Sequence, residues 1–353
     1  MNNYNKYFSE NYFQAREKFR KNTNNLKIKQ YPIIDDLTID TAENHSKKKD
    51  KLLIIISGTH GVEGYVGSAF QLFFLDKYFK RIKKDYGILL IHSLNPYGFK
   101  NNRRYNENNV DLNRNNNQDF TKINNFFYRN KLFKEENLFN IKSSFLSDNF
   151  ERIRYNFILC KLIIKHGIKK TITLIAHGQS KYPKGLCFTG KQKEKSIVIL
   201  DNIIKEATKK YKETILIDVH TGAAKKYNLD FFTANKIDDV KIEVPLKSIH
   251  TEKKGTNHVG GIEHSLFENS KSKKNIHLTL EFGTVNRYST VVSLNHLSYL
   301  LYKENQITNY GPFRRVPLIR QKMKKAYSPE NAKFKKNLIK KTDNFFKKII
   351  DYQ

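Results

Sequence analysis

The sequence predicts an α/β fold with a mixed, largely parallel sheet, helices on both faces, a helical insertion and a C-terminal helix. Apolar runs at residues 52–57, 88–92 and 214–220 support this prediction, because short Ile- and Leu-rich runs are typical of strands buried on both faces. Residues 64–79 have apolar side chains at helical spacing, so the first two runs form a βαβ unit. We expect a single domain with helical additions, which 353 residues are enough to build.

The chain divides into three predicted parts. Residues 1–45 are a polar N-terminal extension, and residues 46–310 form the main domain. Within the main domain, long helical patterns at residues 115–170 indicate a helical insertion. Residues 311–353 are a basic C-terminal helical extension, whose amphipathic tail at residues 327–350 presents a solvated face.

Weaker patterns indicate the remaining elements. They are a helix around residues 12–19, a turn-rich stretch at residues 31–50, a strand or helix end at residues 171–176, a helix over residues 194–211, a strand at residues 229–233, a Gly-rich mobile-loop candidate at residues 255–264 and a buried strand at residues 277–284.

The composition is that of a globular protein, with 39% hydrophobic and 13% aromatic residues. The two cysteines, Cys160 and Cys187, form no spaced pair, which favours a reducing compartment and argues against a thiolate metal site. The first residues contain no apolar signal segment, and no run reaches the length of a membrane span. We therefore expect a cytoplasmic protein.

The chain is strongly basic, with 65 Lys and Arg against 34 Asp and Glu and a formal net charge of +31. The lysines are spread along the whole chain together with abundant Asn and Ile, which indicates a bias in residue usage. No confined basic arm or single basic helix carries the excess, so the pattern disfavours nucleic-acid binding as the primary function. The charge still favours the approach of anionic small substrates.

Several predicted strands end in residue types that are able to bind metal ions or transfer protons. His60 and Glu63 follow the first strand within one tight turn, and His220 ends a later strand. Because the carboxyl ends of parallel strands meet at one edge of a sheet, these three side chains can point at one ion. Two His and one Glu with an open position form a catalytic zinc set, which predicts one zinc per chain. Glu281 is a lone carboxylate in an apolar strand, where a charge is costly unless it is paired or functional.

Polar loops follow these strands and supply further candidates. The loop after residues 88–92 contributes Arg103, Arg104, Asp111, Asn113 and Arg114. A later loop punctuated by Gly and Pro and the Gly-rich stretch contribute the candidate wall residues His177, Gln179, Tyr182 and His258. On the residues alone, each Arg also fits a solvated charge, and His258 and His264 also fit ordinary surface histidines.

Four motifs in the same order resemble the zinc carboxypeptidase superfamily: HGVE at residues 60–63, DLNRN at residues 111–115, DVHTG at residues 218–222 and LEFGT at residues 280–284. The closer likeness is to its bacterial branch of unknown function, which is related to the aspartoacylase/succinylglutamate desuccinylase group. The segments RRYNENNVDLNRN, GQSKYPKGLCFTG and EFGT carry that likeness. The resemblance covers roughly residues 50–300 and implies the carboxypeptidase-like α/β fold.

This resemblance implies roles for the residues at the strand ends. His60, Glu63 and His220 would hold the zinc, and Glu281 would be the general base and acid. Asp111 would orient His60, since a metal-bound histidine usually donates its other ring N–H to a carboxylate or carbonyl. The chemistry is consistent, because zinc polarises a carbonyl and a nearby carboxylate can move the proton of an attacking water.

The resemblance also implies how a substrate is held. Either Arg103 or Arg104 would stabilise the oxyanion, and Arg104 aligns better with the desuccinylase group. Asn113 and Arg114 would bind a substrate carboxylate, for which the planar guanidinium offers two parallel donors. The carboxypeptidases use a Tyr in a mobile loop shortly before the catalytic Glu, but the comparable loop here has His258 and no Tyr.

These observations favour a zinc-dependent hydrolase that cleaves an amide bond in a small molecule or short peptide with a free carboxylate. Carboxypeptidase action and deacylation of an N-acyl amino acid need the same residues, so the sequence leaves both open. An ester or lactone hydrolase would use the same site. The alternative of another class is a non-catalytic basic binding protein. The complete set of candidate ligands, base and carboxylate-binding residues argues against this alternative.

Overall fold

The structure is a computed structural model that describes residues 4–46, 48, 50–116, 148–222, 224–248, 260–285 and 290–352. The strands are β1 (Lys27–Ile34), β2 (Leu37–Asn44), β3 (Lys51–Ser57), β4 (Tyr86–His92), β5 (Glu213–Thr221), β6 (Leu229–Thr233), β7 (Leu246–Ser248) and β8 (Lys274–Phe282). The α-helices are α1 (Tyr12–Asn22), α2 (Gly64–Lys77), α3 (Phe79–Ile82), α4 (Pro96–Lys100), α5 (Asp148–His177), α6 (Lys195–Thr208), α7 (Glu263–Asn269), α8 (Thr290–Tyr310), α9 (Val316–Tyr327) and α10 (Ala332–Asp351).

The described strands form one mixed sheet in the order β1-β2-β4-β3-β5-β8-β6-β7. Its centre, β4-β3-β5-β8, is parallel, whereas β2 and β6 run antiparallel to β4 and β8. The predicted α/β fold with a largely parallel sheet is therefore confirmed. In the described part of the chain, no helix is long and apolar enough to cross a membrane.

The alternation of side chains along β3 explains why helices cover both faces of the sheet. Leu53 and Ile55 point to the face covered by α2 and α10, whereas Leu52, Ile54 and Ile56 point to the face covered by α6 and α7. All five side chains are buried, which is why this strand is a continuous apolar run.

The prediction of a turn-rich stretch at residues 31–50 was wrong. β1 and β2 form a hairpin, and β2 pairs with β4, so this segment extends the sheet. Most side chains of β1 are exposed, and its register with β2 shifts between Pro32 and Ile34, as expected for an edge strand. An edge strand of this kind lacks the apolar run by which the central strands could be recognised.

The remaining predicted helices and strands can be compared with those of the structure. The helix near residues 12–19, the helix within residues 194–211 and the strands at residues 229–233 and 277–284 are present, with their bounds shifted by a few residues. Residues 171–176 end the helix α5, so they are not a strand. Residues 117–147 of the predicted insertion and His258 of the predicted loop lie outside the described residues.

The C-terminal helix α10 is part of the core as well as of the surface. Its lysines lie on the solvated side, but its apolar side packs on α2. Phe346 is fully buried, and its ring centroid lies 5.0 Å from those of Phe70 and Phe74 and 5.2 Å from that of Tyr78. The helix therefore closes one face of the sheet.

This packing predicts the effect of shortening one side chain. The substitution Phe346→Ala should lower the free energy of unfolding by about 3–5 kcal/mol, because it leaves a cavity between α10 and α2. Urea unfolding followed by circular dichroism measures this loss. The matched control is Phe313→Ala, at a side chain that is 66% exposed, which should change stability by less than about 0.5 kcal/mol. Equal, small effects of both substitutions would show that α10 is only loosely attached.

Candidate metal centre

The turn after β3 brings two of the candidate ligands together. A short 3-10 helix, Gly61–Glu63, folds Glu63 back onto His60, so that His60 Nδ1 lies 2.9 Å from Glu63 Oε1. The turn packs closely against the short helix α4, because a Cβ at Gly61 would lie 2.0 Å from the carbonyl carbon of Gly98. Only glycine fits there. The Val62 amide also donates to the Arg103 carbonyl oxygen at 2.7 Å.

The third candidate ligand reaches the same point from the neighbouring strand. Because β5 pairs in parallel with β3, His220 lies beside the turn, with its Nδ1 3.1 Å from His60 Nδ1 and 3.0 Å from Glu63 Oε2. The Thr221 amide donates to Glu63 Oε2 at 2.9 Å and fixes that carboxylate. The three ligand atoms lie within 4.8 Å of one another, and all three residues are buried. This cluster of two imidazoles and a carboxylate could hold a divalent metal ion.

An aspartate lies at the far side of each of the two imidazole rings. Asp218 Oδ2 lies 2.6 Å from His220 Nε2, and Asp111 Oδ1 lies 3.3 Å from His60 Nε2. Carboxylates at these positions favour a proton on each Nε2, which leaves each Nδ1 lone pair directed into the cluster. Thr59 Oγ1 in turn donates to Asp218 Oδ1 at 2.7 Å. The donor set therefore fits a metal such as zinc.

The role of Asp218 was missed in the sequence, although its signal was present. Asp218 and His220 are two residues apart on a strand, so their side chains leave the same face. An Asp-x-His pair at the end of a buried strand could have been recognised as a ligand with its supporting carboxylate.

Charges within the cluster keep its carboxylates ionised. Burial raises the pKa of Glu63, but when the two imidazoles are protonated, the charge of His60 and a hydrogen bond from His220 outweigh burial and lower that pKa. Burial also raises the pKa of Asp111, yet the charges of Arg104 and His60 bring it well below its usual range. Two ionised carboxylates beside two imidazoles favour a bound cation.

The structure distinguishes the two candidate arginines. Arg104 faces the cluster, with its Nε 2.9 Å from Asp111 Oδ2 and its Nη1 3.9 Å from Glu63 Oε1. Arg103 points away and binds Glu304 Oε1 of α8 through its Nε at 2.7 Å. Arg104 therefore lies where a reacting oxygen could be stabilised, and Arg103 joins the loop to α8.

Asn113 and Arg114 follow Asp111 in a short 3-10 helix, and both have contacts that hold this loop together. Asp111 Oδ1 accepts from the Asn113 amide at 3.1 Å, and Asn113 Oδ1 accepts from the Ile262 amide at 3.2 Å. Arg114 is buried, and the charges of Asp111 and Glu263 act on its guanidinium. Burial lowers the pKa of Arg114.

Glu281 lies on β8, the strand next to β5, in register with His220. Side chains at matched positions of neighbouring strands leave the same face, about 4.8 Å apart, so Glu281 projects beside the cluster. Its side chain is partly exposed, unlike the ligands. A carboxylate next to the cluster and open to water has the location that a general base requires.

Tyr327 also faces the cluster, although it lies in the tail that the sequence predicted to be solvated. Its carbonyl oxygen accepts from Thr221 Oγ1 at 2.7 Å, and its ring packs against Gly222, where an added Cβ would lie 3.2 Å from Cε1. Burial raises the pKa of Tyr327, and the charges of Arg104, Glu63 and Glu281 act on its phenol. No sequence signal marks this residue, because only the packing of α9 brings it to the strand ends.

The candidate wall residues have structural contacts. Gln179 is buried, and its Nε2 donates to the carbonyl oxygens of Tyr182 and Leu186 at 2.8 Å and 3.2 Å. The same loop continues to Phe188, whose carbonyl oxygen accepts from the Asp111 amide at 2.8 Å. Gln179 and Tyr182 therefore shape the loop that supports Asp111. The His177 side chain and His258 lie outside the described part of the structure.

Comparison with known proteins places the chain in a family. Residues 8–341 match the family described as "Protein of unknown function (DUF2817)", and the chain belongs to that family. No curated protein matches. The family match agrees with the resemblance to a branch of unknown function.

Solved structures with a similar fold include both groups named by the resemblance. They are a protein assigned as a metallopeptidase from Shewanella amazonensis SB2B (12% identity, 85% of this chain and 93% of that chain, TM-score 0.42), carboxypeptidase A from Helicoverpa armigera (11% identity, 90% and 73%, TM-score 0.43) and a protein assigned to the succinylglutamate desuccinylase/aspartoacylase group from Shewanella frigidimarina NCIMB 400 (15% identity, 80% and 72%, TM-score 0.37).

The contact between Asp218 and His220 predicts a measurable effect on metal affinity. The substitution Asp218→Asn should weaken zinc binding by roughly 10- to 100-fold, because the amide no longer fixes the proton on Nε2. Competition with a chromophoric chelator measures this affinity, and saturation should still give one zinc per chain. The control is Asp239→Asn, at an exposed carboxylate, which should leave the affinity unchanged. Equal affinities of the two variants would contradict a supporting role for Asp218.

Proposed function

We propose that this protein is a zinc-dependent hydrolase that cleaves an amide bond in a small substrate with a free carboxylate. The observation that carries the proposal is the convergence of His60 Nδ1, His220 Nδ1 and Glu63 at the strand ends, beside Glu281. His220 is bonded to Asp218 and His60 lies within ion-pair distance of Asp111, and a carboxylate behind each imidazole is usual for ligands of a catalytic metal. Zinc, when bound, would polarise the scissile carbonyl and make water more acidic.

Glu281 is the proposed general base and acid. It would take the proton of the attacking water and later deliver it to the leaving amine nitrogen. Its partial exposure supports this role, because both water and substrate must reach it. The ligand Glu63 is buried and bonded to His60 and Thr221, which leaves Glu281 as the carboxylate able to exchange a proton.

Arg104 is the proposed donor to the oxygen that becomes negatively charged in the reaction. Asp111 holds its Nε, which leaves the far end of the guanidinium directed toward the cluster. The loss of such a donor typically lowers the rate by about a hundred- to a thousandfold. The Tyr327 phenol lies in the same electrostatic environment and closes the side of the site formed by α9.

Asn113 and Arg114 are the proposed site for the substrate carboxylate. A buried guanidinium offers a planar pair of donors that matches a carboxylate. Short peptides and N-acyl amino acids both carry that group, and both contain an amide bond that the same residues could cleave. Carboxypeptidase substrates and N-acyl amino acids are therefore the two alternative substrate classes of the proposal.

The proposal predicts that Glu281→Gln abolishes most turnover without loss of zinc. We expect kcat to fall by roughly 10²- to 10⁴-fold, because the amide cannot accept the proton of water. Zinc-loaded wild type and variant should be assayed on a panel of short peptides and N-acyl amino acids, with zinc content measured in parallel.

The matched control is Glu268→Gln in α7, at a partly exposed carboxylate outside the cluster, which should keep full activity. If zinc-loaded wild type cleaves no member of the panel, the amide hydrolase proposal fails and a binding role is favoured. If Glu281→Gln keeps the wild-type rate, a different residue must transfer the proton.

A further inference from the structure

Helix α5 carries an apolar stripe on its outer side. The stripe consists of Phe150, Ile153, Phe157 and Ile164, which are 52%, 65%, 59% and 86% exposed. At about 100° per residue, these four side chains fall within about 60° of one another on the helix surface. They precede Gly167, where the backbone leaves helical geometry, so they lie on one continuous helix about 21 Å long. Monomeric proteins rarely leave such a contiguous row uncovered.

The opposite side of α5 is already used for folding. Tyr155, Leu159 and Leu162 are buried there against Tyr299 and Tyr302 of α8. The stripe is therefore a second apolar face, and the helix has no need of it to attach to the protein. A helix that is apolar on both sides is expected to have a partner for the second side.

A row of cations runs beside the stripe. Arg154, Lys161 and Lys165 are exposed and lie within about 40° of one another along the edge of the stripe. The only acidic residue between positions 150 and 168 is Glu151, which is buried and paired with Lys303. The exposed surface of this helix segment therefore combines apolar side chains with positive charge alone.

We propose that the α5 stripe docks on the surface of an anionic phospholipid bilayer. Phe and Ile side chains on a convex helix face can enter the boundary between headgroups and acyl chains, while the neighbouring Arg and Lys reach anionic headgroups. The net charge of +31 adds long-range attraction to such a surface. This inference is independent of the proposed hydrolase activity.

The positive charge beside the α5 stripe favours a bilayer over a second copy of the chain as the partner. In an antiparallel pair of α5 stripes, the two cation rows would lie along the same side of the contact, and neither helix segment offers an exposed carboxylate to neutralise them. Like charges in such a contact destabilise it. An anionic bilayer supplies the opposite charge and adapts to a convex surface without a preformed groove.

Docking would bring the metal centre toward the membrane. The buried side of α5 shares its hydrophobic cluster with Tyr105 and Cys187, which lie in the loops next to Arg104 and Asp111. A hydrolase held in this way would act on substrates at or near an anionic membrane surface.

Cys160 provides a direct probe of the stripe. It is exposed and lies at the edge of the stripe, about 20° from Ile153, whereas Cys187 is buried. An environment-sensitive fluorophore attached to Cys160 should therefore label one site. We expect its emission to shift to the blue with vesicles of phosphatidylcholine and phosphatidylglycerol, and to stay unchanged with phosphatidylcholine alone.

Unlabelled protein should show the same selectivity in vesicle co-sedimentation. The double substitution Ile153→Ser/Phe157→Ser and the double substitution Arg154→Gln/Lys161→Gln should each weaken binding by about tenfold or more. The controls, Phe313→Ser and Lys336→Gln/Lys340→Gln, alter an exposed Phe and two exposed Lys side chains elsewhere and should bind like the wild type.

Three results would overturn the proposal. Absence of binding to anionic vesicles would exclude the bilayer as partner. Binding that the stripe and cation variants leave unchanged would place the membrane contact elsewhere. A blue-shifted label without vesicles would show that the stripe is already covered, by a second copy if light scattering gives the mass of a dimer, and by the chain itself if it gives the mass of a monomer.

Discussion

The register between β3 and β5 is the constraint on which the candidate site depends. These parallel strands pair from Lys51 with Glu213 to Ser57 with Val219, so they end side by side. The chain then turns back at His60 and Glu63 just where His220 projects from β5. A slip of one residue would turn His220 to the other face of the sheet. The buried apolar side chains of both strands, packed against helices on both faces, hold that register.

The cluster is built so that each part supports the next. Asp218 and Asp111 fix the histidine rings, and Thr59, Arg104 and the loop around Phe188 fix those aspartates in turn. Burying so much charge is costly unless each group is paired or coordinates a metal. This energetic cost has no evident structural purpose in a protein held together by apolar packing, which is why we propose that the cluster holds a metal ion.

Much of the fold and part of the site could be predicted from the sequence. β3, β4 and β5 are buried on both faces and therefore appear as apolar runs, and the polar residues at their ends stand out. Edge strand β1 is mostly exposed and has no such pattern, so the β1–β2 hairpin was missed. The sequence also could not show whether Arg103 or Arg104 faces the cluster. The two arginines are adjacent and differ only in the direction in which the folded loop points their side chains. Tyr327 reaches the site from a helix more than a hundred residues beyond His220, and only tertiary packing brings them together.

The most direct test of this account is X-ray absorption spectroscopy of the protein loaded with one equivalent of zinc. The account predicts a first coordination shell of nitrogen and oxygen only, at about 2.0–2.2 Å, with the multiple-scattering features of two imidazoles. The substitution His220→Ala should remove one imidazole from that spectrum. A sulfur shell near about 2.3 Å, or a spectrum that His220→Ala leaves unchanged, would contradict the assignment of His60, Glu63 and His220 as the metal ligands.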